Sequence, residues 1–157
     1  MKSLAFQNIL FVILQPGIVA GVVPYFLVRH KIVSLLNAPF QTFQHIAFLI
    51  LLIGLIIVLH CVFRFFKDGR GTLSPAVPTK QLVINGLYKY SRNPMYIGVM
   101  LILIGETIFC NSLHLLLYSV FVFIAFNLFV IFREEPRLKK DFGEQYDNYK
   151  QRVKRWI

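Results

Sequence analysis

The stretch from Gly86 to Gly98 combines the residue types that a binding site at a membrane surface needs. It reads GLYKYSRNPMYIG and joins a polar segment rich in Gly and Pro to an apolar segment. Asn93-Pro94 is a favourable start for a helix, because Asn can accept a hydrogen bond from a free backbone N–H and Pro at the first helical position needs no donor. The positive end of that helix favours an electron-rich group nearby. We therefore expect a charged small molecule to meet a lipid-borne one here.

A pair of adjacent carboxylates, Glu134 and Glu135, follows the last apolar segment. An antiparallel hairpin of the two preceding apolar segments would return this pair to the membrane face that carries Arg92, Asn93 and Tyr96. Carboxylates bind ammonium groups and hydroxyls, while aromatic rings bind a sulfonium or a flat base. The pattern thus predicts a site for a cationic, amphiphilic cofactor. The alternative is a solvated charge run that ends a helix, since most surface charges contribute little.

The composition of the chain is that of an integral membrane protein. Of 157 residues, 57% are hydrophobic, and the mean hydropathy is +0.63. The net charge of +10 comes from residues between and after apolar blocks, which favours membrane anchoring and argues against nucleic-acid binding. Cys61 and Cys110 lie at predicted span ends on opposite membrane sides, so the sequence predicts neither a disulfide nor a metal site.

The apolar segments predict an all-α, polytopic membrane protein with four transmembrane helices. A bilayer core of about 30 Å needs roughly 20 helical residues. The predicted spans are residues 4–28, 46–63, 94–110 and 113–132. We expect Gln15-Pro16-Gly17 to kink the first span and Arg29-His30-Lys31 to end it. Asn111-Ser112 then joins the third and fourth spans into a hairpin.

The remaining segments are basic and predict the orientation. Residues 64–93 and the chain after residue 132 hold most of the Lys and Arg, so we place both termini and the site in the cytoplasm. The connection 64–93 is long and irregular, which favours a functional lid over a linker because it adjoins the proposed site. Apolar side chains from Leu138 to Val153 recur every three or four residues and predict one amphipathic helix over about residues 136–153. We expect it to lie against the membrane or to fold back over the second and third spans.

Two motifs resemble a known family. Gly86–Gly98, followed by a hairpin and by EExxLxxxFGxxYxxY with a later VxxW, looks like the isoprenylcysteine carboxyl methyltransferase and phospholipid methyltransferase group of membrane enzymes. The resemblance covers roughly residue 69 to the end of the sequence. It implies S-adenosylmethionine as methyl donor on the cytoplasmic side, with a lipophilic acceptor that enters from the bilayer. Gly69 and Gly71 resemble a short Gly-x-Gly element of that group.

The resemblance also implies site residues. The Arg-His-Pro-x-Tyr motif of the group falls on Arg92–Tyr96, with Asn93 in place of His. An Asn cannot act as a base near neutral pH, so we predict a binding or capping role for Asn93. The predicted cofactor-binding residues are Tyr90, Asn93, Pro94, Tyr96, Glu134 and Glu135.

Arg92 and Asn127 are the candidate catalytic residues. Arg92 can position a carboxylate acceptor, and Asn127 lies about one and a half turns inside the cytoplasmic end of the fourth span. Two assignments stay open at this stage: His60 either faces the same cavity or packs at the interface, and Tyr90 either contacts the cofactor or belongs to an aromatic belt.

Three functions are compatible with the sequence. The first is methyl transfer to a membrane lipid or lipophilic small molecule, with an isoprenylcysteine-like carboxylate, a phospholipid amine or a hydrophobic thiol as acceptor. The second is a nicotinamide-dependent reductase of the sterol reductase group, but Gly98 is followed by Val99 where that group typically has Glu. The third is a non-enzymatic membrane scaffold, which needs neither the Glu pair nor the basic and aromatic loop.

Overall fold

A computed structural model describes residues 16–68 and 81–157, and these residues are mostly helical. Gly69, Gly71, the start of the predicted first span and residues 69–80 of the predicted lid lie outside the described residues. The α-helices are α1 (Val23–Asn37), α2 (Thr42–Asp68), α3 (Pro94–Cys110), α4 (Leu113–Phe129), α5 (Glu135–Phe142) and α6 (Glu144–Arg152). A 3₁₀ turn covers Gly86–Lys89, and π-helical segments cover Ile18–Val22 and Val130–Glu134.

Three helical stretches within the described residues are long and apolar enough to cross a membrane. They are Ile18–Leu35, Thr42–Arg64 and Leu113–Phe142. The helix α3 is apolar but shorter, with 17 residues and a length of about 26 Å. The architecture is therefore that of an all-helical membrane protein, while the count of four spans stays a prediction.

The first described helix continues past the predicted end of the first span. It runs through Arg29, His30 and Lys31 and ends at Asn37. Arg and Lys have high helix propensity and long side chains, so a charged triplet at a membrane surface need not break a helix. The next residue, Ala38, is extended (φ −93°, ψ 145°). It precedes Pro39, and the proline ring disfavours helical backbone in the residue before it.

Each π-helical segment directly precedes a proline at the second position of the next α-helix. Ile18–Val22 is followed by Pro24, and Val130–Glu134 by Pro136. Proline lacks the N–H that would bond the carbonyl four residues earlier, so the preceding turn changes its hydrogen-bond pattern. Within the described residues the first span is irregular before Pro24, while the turn before Pro16, where the kink was predicted, lies outside them. The second segment ends at Glu134, the first residue of the Glu pair.

A seam of small residues holds α2 against α3. A Cβ added at Gly54 would lie 2.7 Å from the carbonyl O of Gly98 and 2.8 Å from the backbone N of Ile102. One added at Gly105 would lie 2.9 Å from the carbonyl O of Ala47. The two backbones thus touch at points one heptad apart, as small residues allow in membrane helix pairs. This close contact fixes α3 in place beneath the motif.

The helices α3 and α4 form the hairpin that positions the Glu pair. Asn111 adopts a left-handed conformation (φ 42°), which Asn tolerates better than most residues, and reverses the chain. Near this turn the hydroxyls of Thr107 and Ser119 are 3.2 Å apart. At the opposite end the rings of Tyr96 and Phe126 pack with centroids 4.6 Å apart. The start of α3 and the end of α4 therefore meet.

The predicted amphipathic helix after α4 is divided in two. Gly143 has φ +51° and ψ −126°, a conformation that side-chain-bearing residues rarely adopt, and it separates α5 from α6. An ion pair between Lys139 and Asp147 at 3.4 Å crosses the break. The three- and four-residue spacing of apolar side chains continues across Gly143, which explains why the sequence predicts a single helix.

Candidate active site

The structure brings the two predicted site segments into direct contact. The hydroxyl of Tyr96, in the first turn of α3, donates to Glu134 Oε2 at 2.9 Å. Arg92 Nη1, just before α3, donates to Glu135 Oε1 at 3.0 Å. The hairpin places the π-helical end of α4 beside the start of α3, so residues about forty positions apart share one site.

Glu135 is the centre of a cluster of cations. The side chains of Arg92 and Glu135 are 9% and 11% exposed. Arg155 binds the same carboxylate with two donors, Nε to Oε1 at 2.7 Å and Nη2 to Oε2 at 3.1 Å, while Lys150 Nζ lies 3.6 Å from Oε2. A carboxylate withdrawn from water needs this compensation. Both oxygens of Glu135 are therefore engaged within the protein.

Two tyrosines of α6 contact this cluster or its neighbours. The group is called the frame below and consists of Arg92, Glu135, Tyr146, Tyr149, Lys150 and Arg155. Tyr146 accepts a hydrogen bond from Arg92 Nη1 at 3.2 Å, and Tyr149 donates to the carbonyl O of Tyr88 at 2.7 Å. Burial raises the pKa of Tyr146 and of Tyr149, so both hydroxyls stay protonated at neutral pH. The hydrogen bond to Glu135 raises the pKa of Arg155. Neither tyrosine therefore adds a negative charge beside Glu135 at neutral pH.

Asn93 is buried, but its side chain does not cap α3. No hydrogen bond joins this side chain to the first turn of the helix. Instead, Asn93 Nδ2 donates to the carbonyl O of Arg155 at 3.0 Å, and its backbone N–H donates to Ser91 Oγ at 3.1 Å. The capping role predicted for Asn93 is therefore wrong, because a tertiary contact uses the side chain. Pro94 is buried as the first residue of α3.

Asn127 lies beside Trp156. Its Nδ2 donates to the carbonyl O of Phe123 at 2.8 Å, and its Oδ1 accepts from Trp156 Nε1 at 3.0 Å. Both polar atoms of this side chain therefore bind groups of the protein. The geometry favours a role in holding Trp156 over the predicted direct role of Asn127 in catalysis.

Tyr90 and His60 lie outside this cluster of contacts. The side chain of Tyr90 is 77% exposed, so the structure does not join it to the other predicted site residues. His60 packs on the 3₁₀ turn, because a Cβ added at Gly86 would lie 2.8 Å from His60 Nε2. This contact supports the packing role for His60.

Comparison with known proteins identifies the family. A model of the phospholipid methyltransferase family matches residues 42–145, about two thirds of the chain. The chain belongs to the phospholipid methyltransferase family. The resemblance inferred from the motifs is thereby confirmed. Membership of this family supports methyl transfer by a membrane enzyme.

Two relatives illustrate the range of similarity. An uncharacterized protein of Haemophilus influenzae is 42% identical over 64 residues, which are 40% of this chain and all of that protein. Protein-S-isoprenylcysteine O-methyltransferase B of Arabidopsis thaliana is 35% identical over 74 residues, which are 46% of this chain and 37% of that protein. The match therefore spans just over a third of the Arabidopsis protein. No solved structure matches the chain.

Some residues of the cluster were not among the predicted site residues. Tyr146 and Trp156 belong to the motifs that carry the family resemblance, so a signal for them existed. Arg155 is one of several basic residues near the end of the sequence and has no distinguishing local pattern. The phospholipid methyltransferase match ends at residue 145 and so does not include Arg155 or Trp156.

Proposed function

We propose that this protein transfers a methyl group from S-adenosylmethionine to a lipophilic acceptor at the cytoplasmic face of a membrane. The observation that carries the proposal is the Tyr96–Glu134 hydrogen bond. It joins the motif at the start of α3 to the first residue of the Glu pair, which follows α4. Membership of the phospholipid methyltransferase family supports the reaction type.

The two glutamates take different roles in the proposed site. Glu135 is engaged by two arginines and a lysine, so we assign it to the frame that holds Arg92. Glu134 accepts from Tyr96, next to the ring of Phe126. A carboxylate beside aromatic rings suits a donor that carries an amino group, hydroxyls, a flat base and a sulfonium. We assign donor binding to Glu134 and Tyr96.

Methyl transfer from a sulfonium requires alignment more than acid–base chemistry. The bound donor supplies an electrophilic methyl group, and the protein must present the acceptor in line with it. Such orientation can lower a barrier by about 7–11 kcal/mol. Asn93 has no basic group and binds the Arg155 carbonyl, so its role is to hold the frame together. The rigid frame around Glu135 serves this alignment.

The charges at the two ends of the bundle support the proposed sidedness of the site. Lys31 Nζ donates to the carbonyl O of Asn111 at 3.3 Å, so the charged triplet Arg29–Lys31 lies at the α3–α4 turn. The site lies at the other end, with exposed cations such as Lys89, Lys139 and Lys140. The excess of positive charge supports a cytoplasmic position for the site.

Ligand binding to purified protein in detergent tests the proposal. We expect S-adenosylhomocysteine to bind in isothermal titration calorimetry, and reduced nicotinamide dinucleotide not to bind. Glu134→Gln should weaken the binding of S-adenosylhomocysteine, because the amide presents a donor where the carboxylate only accepts. Glu106→Gln is the matched control, since Glu106 lies near the opposite end of α3.

Each outcome has a defined meaning. Binding of the nicotinamide instead would support the reductase, and binding of neither ligand would support the scaffold. An equal loss of affinity in Glu134→Gln and Glu106→Gln would remove the proposed donor site. Once binding is established, methyl transfer from labelled donor to isoprenylcysteine analogues, phospholipid amines and hydrophobic thiols would identify the acceptor class.

A further inference from the structure

Residues 153–157, called the strap below, run alongside the motif that precedes α3. Val153 ends α6 in an extended conformation (φ −123°, ψ 127°). The backbone N–H of Arg92 donates to the carbonyl O of Lys154 at 3.0 Å. The carbonyl O of Arg155 accepts from Asn93 Nδ2 at 3.0 Å and from Ser91 Oγ at 3.3 Å. The strap is thus hydrogen-bonded to three consecutive residues of the motif.

Trp156 connects the strap to both sides of the hairpin. Its Nε1 donates to Asn127 Oδ1 on α4 at 3.0 Å. Its ring meets the ring of Tyr96 edge to face, with centroids 6.5 Å apart, and that of Phe123 at 6.0 Å. Ring pairs at these separations are favourable and limit ring movement. Trp156 therefore restrains the ring whose hydroxyl binds Glu134.

Arg155 restrains the second glutamate, Glu135. Its guanidinium binds both oxygens of Glu135, a fork geometry that fixes orientation as well as distance. Its backbone carbonyl meanwhile holds Asn93. One side chain and one carbonyl of the same residue thus link the start of α5 to the start of α3.

We propose that Arg155 and Trp156 are positioning residues of the donor site, Trp156 acting through Tyr96 and Arg155 through Glu135. This inference rests on the proposed function. It assigns to the strap a task that the family match, which ends at residue 145, does not cover. Trp156 is expected to affect donor affinity more than stability, because its contacts are with the site, whereas loss of the Arg155 side chain also removes a partner of the Glu135 carboxylate.

The affinity for S-adenosylhomocysteine tests this assignment in detergent-purified full chain. We expect Trp156→Ala to weaken binding about tenfold, the size expected for a lost ring pair together with a lost hydrogen bond. Trp156→Phe should recover part of the affinity because it keeps the ring. Phe40→Ala is the matched control. Phe40 also forms an aromatic pair, with its ring centroid 5.8 Å from that of Phe109, but this pair lies away from the site.

The fluorescence of Trp156 gives a second readout, because this is the single Trp of the chain. Without ligand, Asn127→Leu should increase the quenching of Trp156 by acrylamide, since the ring loses its anchor on α4. Addition of S-adenosylhomocysteine to the unsubstituted protein should change the emission of Trp156. Phe40→Ala should leave both signals unchanged.

The outcomes separate the two proposals. If the unsubstituted protein binds no S-adenosylhomocysteine, the proposed function fails and this inference fails with it. If the unsubstituted protein binds the ligand but Trp156→Ala and Arg155→Ala bind it equally well, the inference alone is overturned. Weaker binding by both variants, with thermal unfolding of Trp156→Ala similar to that of Phe40→Ala, supports it.

Discussion

Tyr96 and Glu134 are joined by a hydrogen bond of 2.9 Å although 38 positions separate them in the sequence. Tyr96 lies in the first turn of α3, and Glu134 ends the π-helical segment that follows α4. The length of the hairpin and the extra width of that segment together bring the hydroxyl to the carboxylate. The contact therefore depends on helix phase as well as on helix length.

Removal of the Tyr96 hydroxyl tests this contact. We expect Tyr96→Phe to weaken S-adenosylhomocysteine binding about tenfold, because a hydrogen bond to a charged group contributes about 1.5–3 kcal/mol. The ring and its packing on Phe126 remain. Calorimetric titration measures the change, with Tyr25→Phe as control because Tyr25 is 55% exposed on α1. Unchanged affinity in Tyr96→Phe would separate the hydroxyl from donor binding.

The cluster around Glu135 predicts a large effect on stability. Glu135→Gln leaves the buried Arg92 without its negative partner and should lower the free energy of unfolding by about 3 kcal/mol. Lys150→Gln should change it by less than about 1 kcal/mol, because the Lys150 side chain is 48% exposed. Unfolding in mixed micelles compares the two variants. Similar losses in both would show that the arginines do not dominate the cluster.

The seam between α2 and α3 predicts a difference between two glycines. Gly54→Ala should destabilise the protein by about 1–3 kcal/mol, because its Cβ would meet rigid backbone of α3. Gly21→Ala should not, since nothing lies within 4 Å of a Cβ there. Thermal unfolding in detergent measures both. A stable Gly54→Ala variant would mean that the two helices are further apart than described.

A side chain at Gly143 should destabilise the protein through backbone strain, although it would not clash with any neighbour. A Cβ at Gly143 has no neighbour within 4 Å, but the residue has φ +51°. Gly143→Ala should therefore cost about 1–3 kcal/mol through backbone strain. Gly17→Ala, at a helical position with open space, should be neutral or slightly stabilising. Gly143→Ala should therefore have a lower melting temperature than Gly17→Ala, and the opposite order would contradict the prediction.

Local patterns were sufficient for much of the fold and for part of the site. The apolar runs indicated helices of membrane-spanning length, and Asn93-Pro94 marked the start of α3. The prediction that Arg92, Tyr96 and the Glu pair meet required only that two helices of equal length form an antiparallel hairpin. One prediction was wrong because a local rule competed with a tertiary contact. The Asn93 side chain binds a distant carbonyl instead of capping α3.

The sequence by itself determined that this is a helical membrane protein with a basic, aromatic motif near a Glu pair, because hydropathy and residue type are local properties. Only the tertiary structure decided which partners each side chain has. The division of labour between Glu134 and Glu135, and the contacts of Arg155 and Trp156 with the site, depend on the turn at Gly143 and on helix phase. A one-dimensional pattern does not record these, because they arise when distant segments pack together.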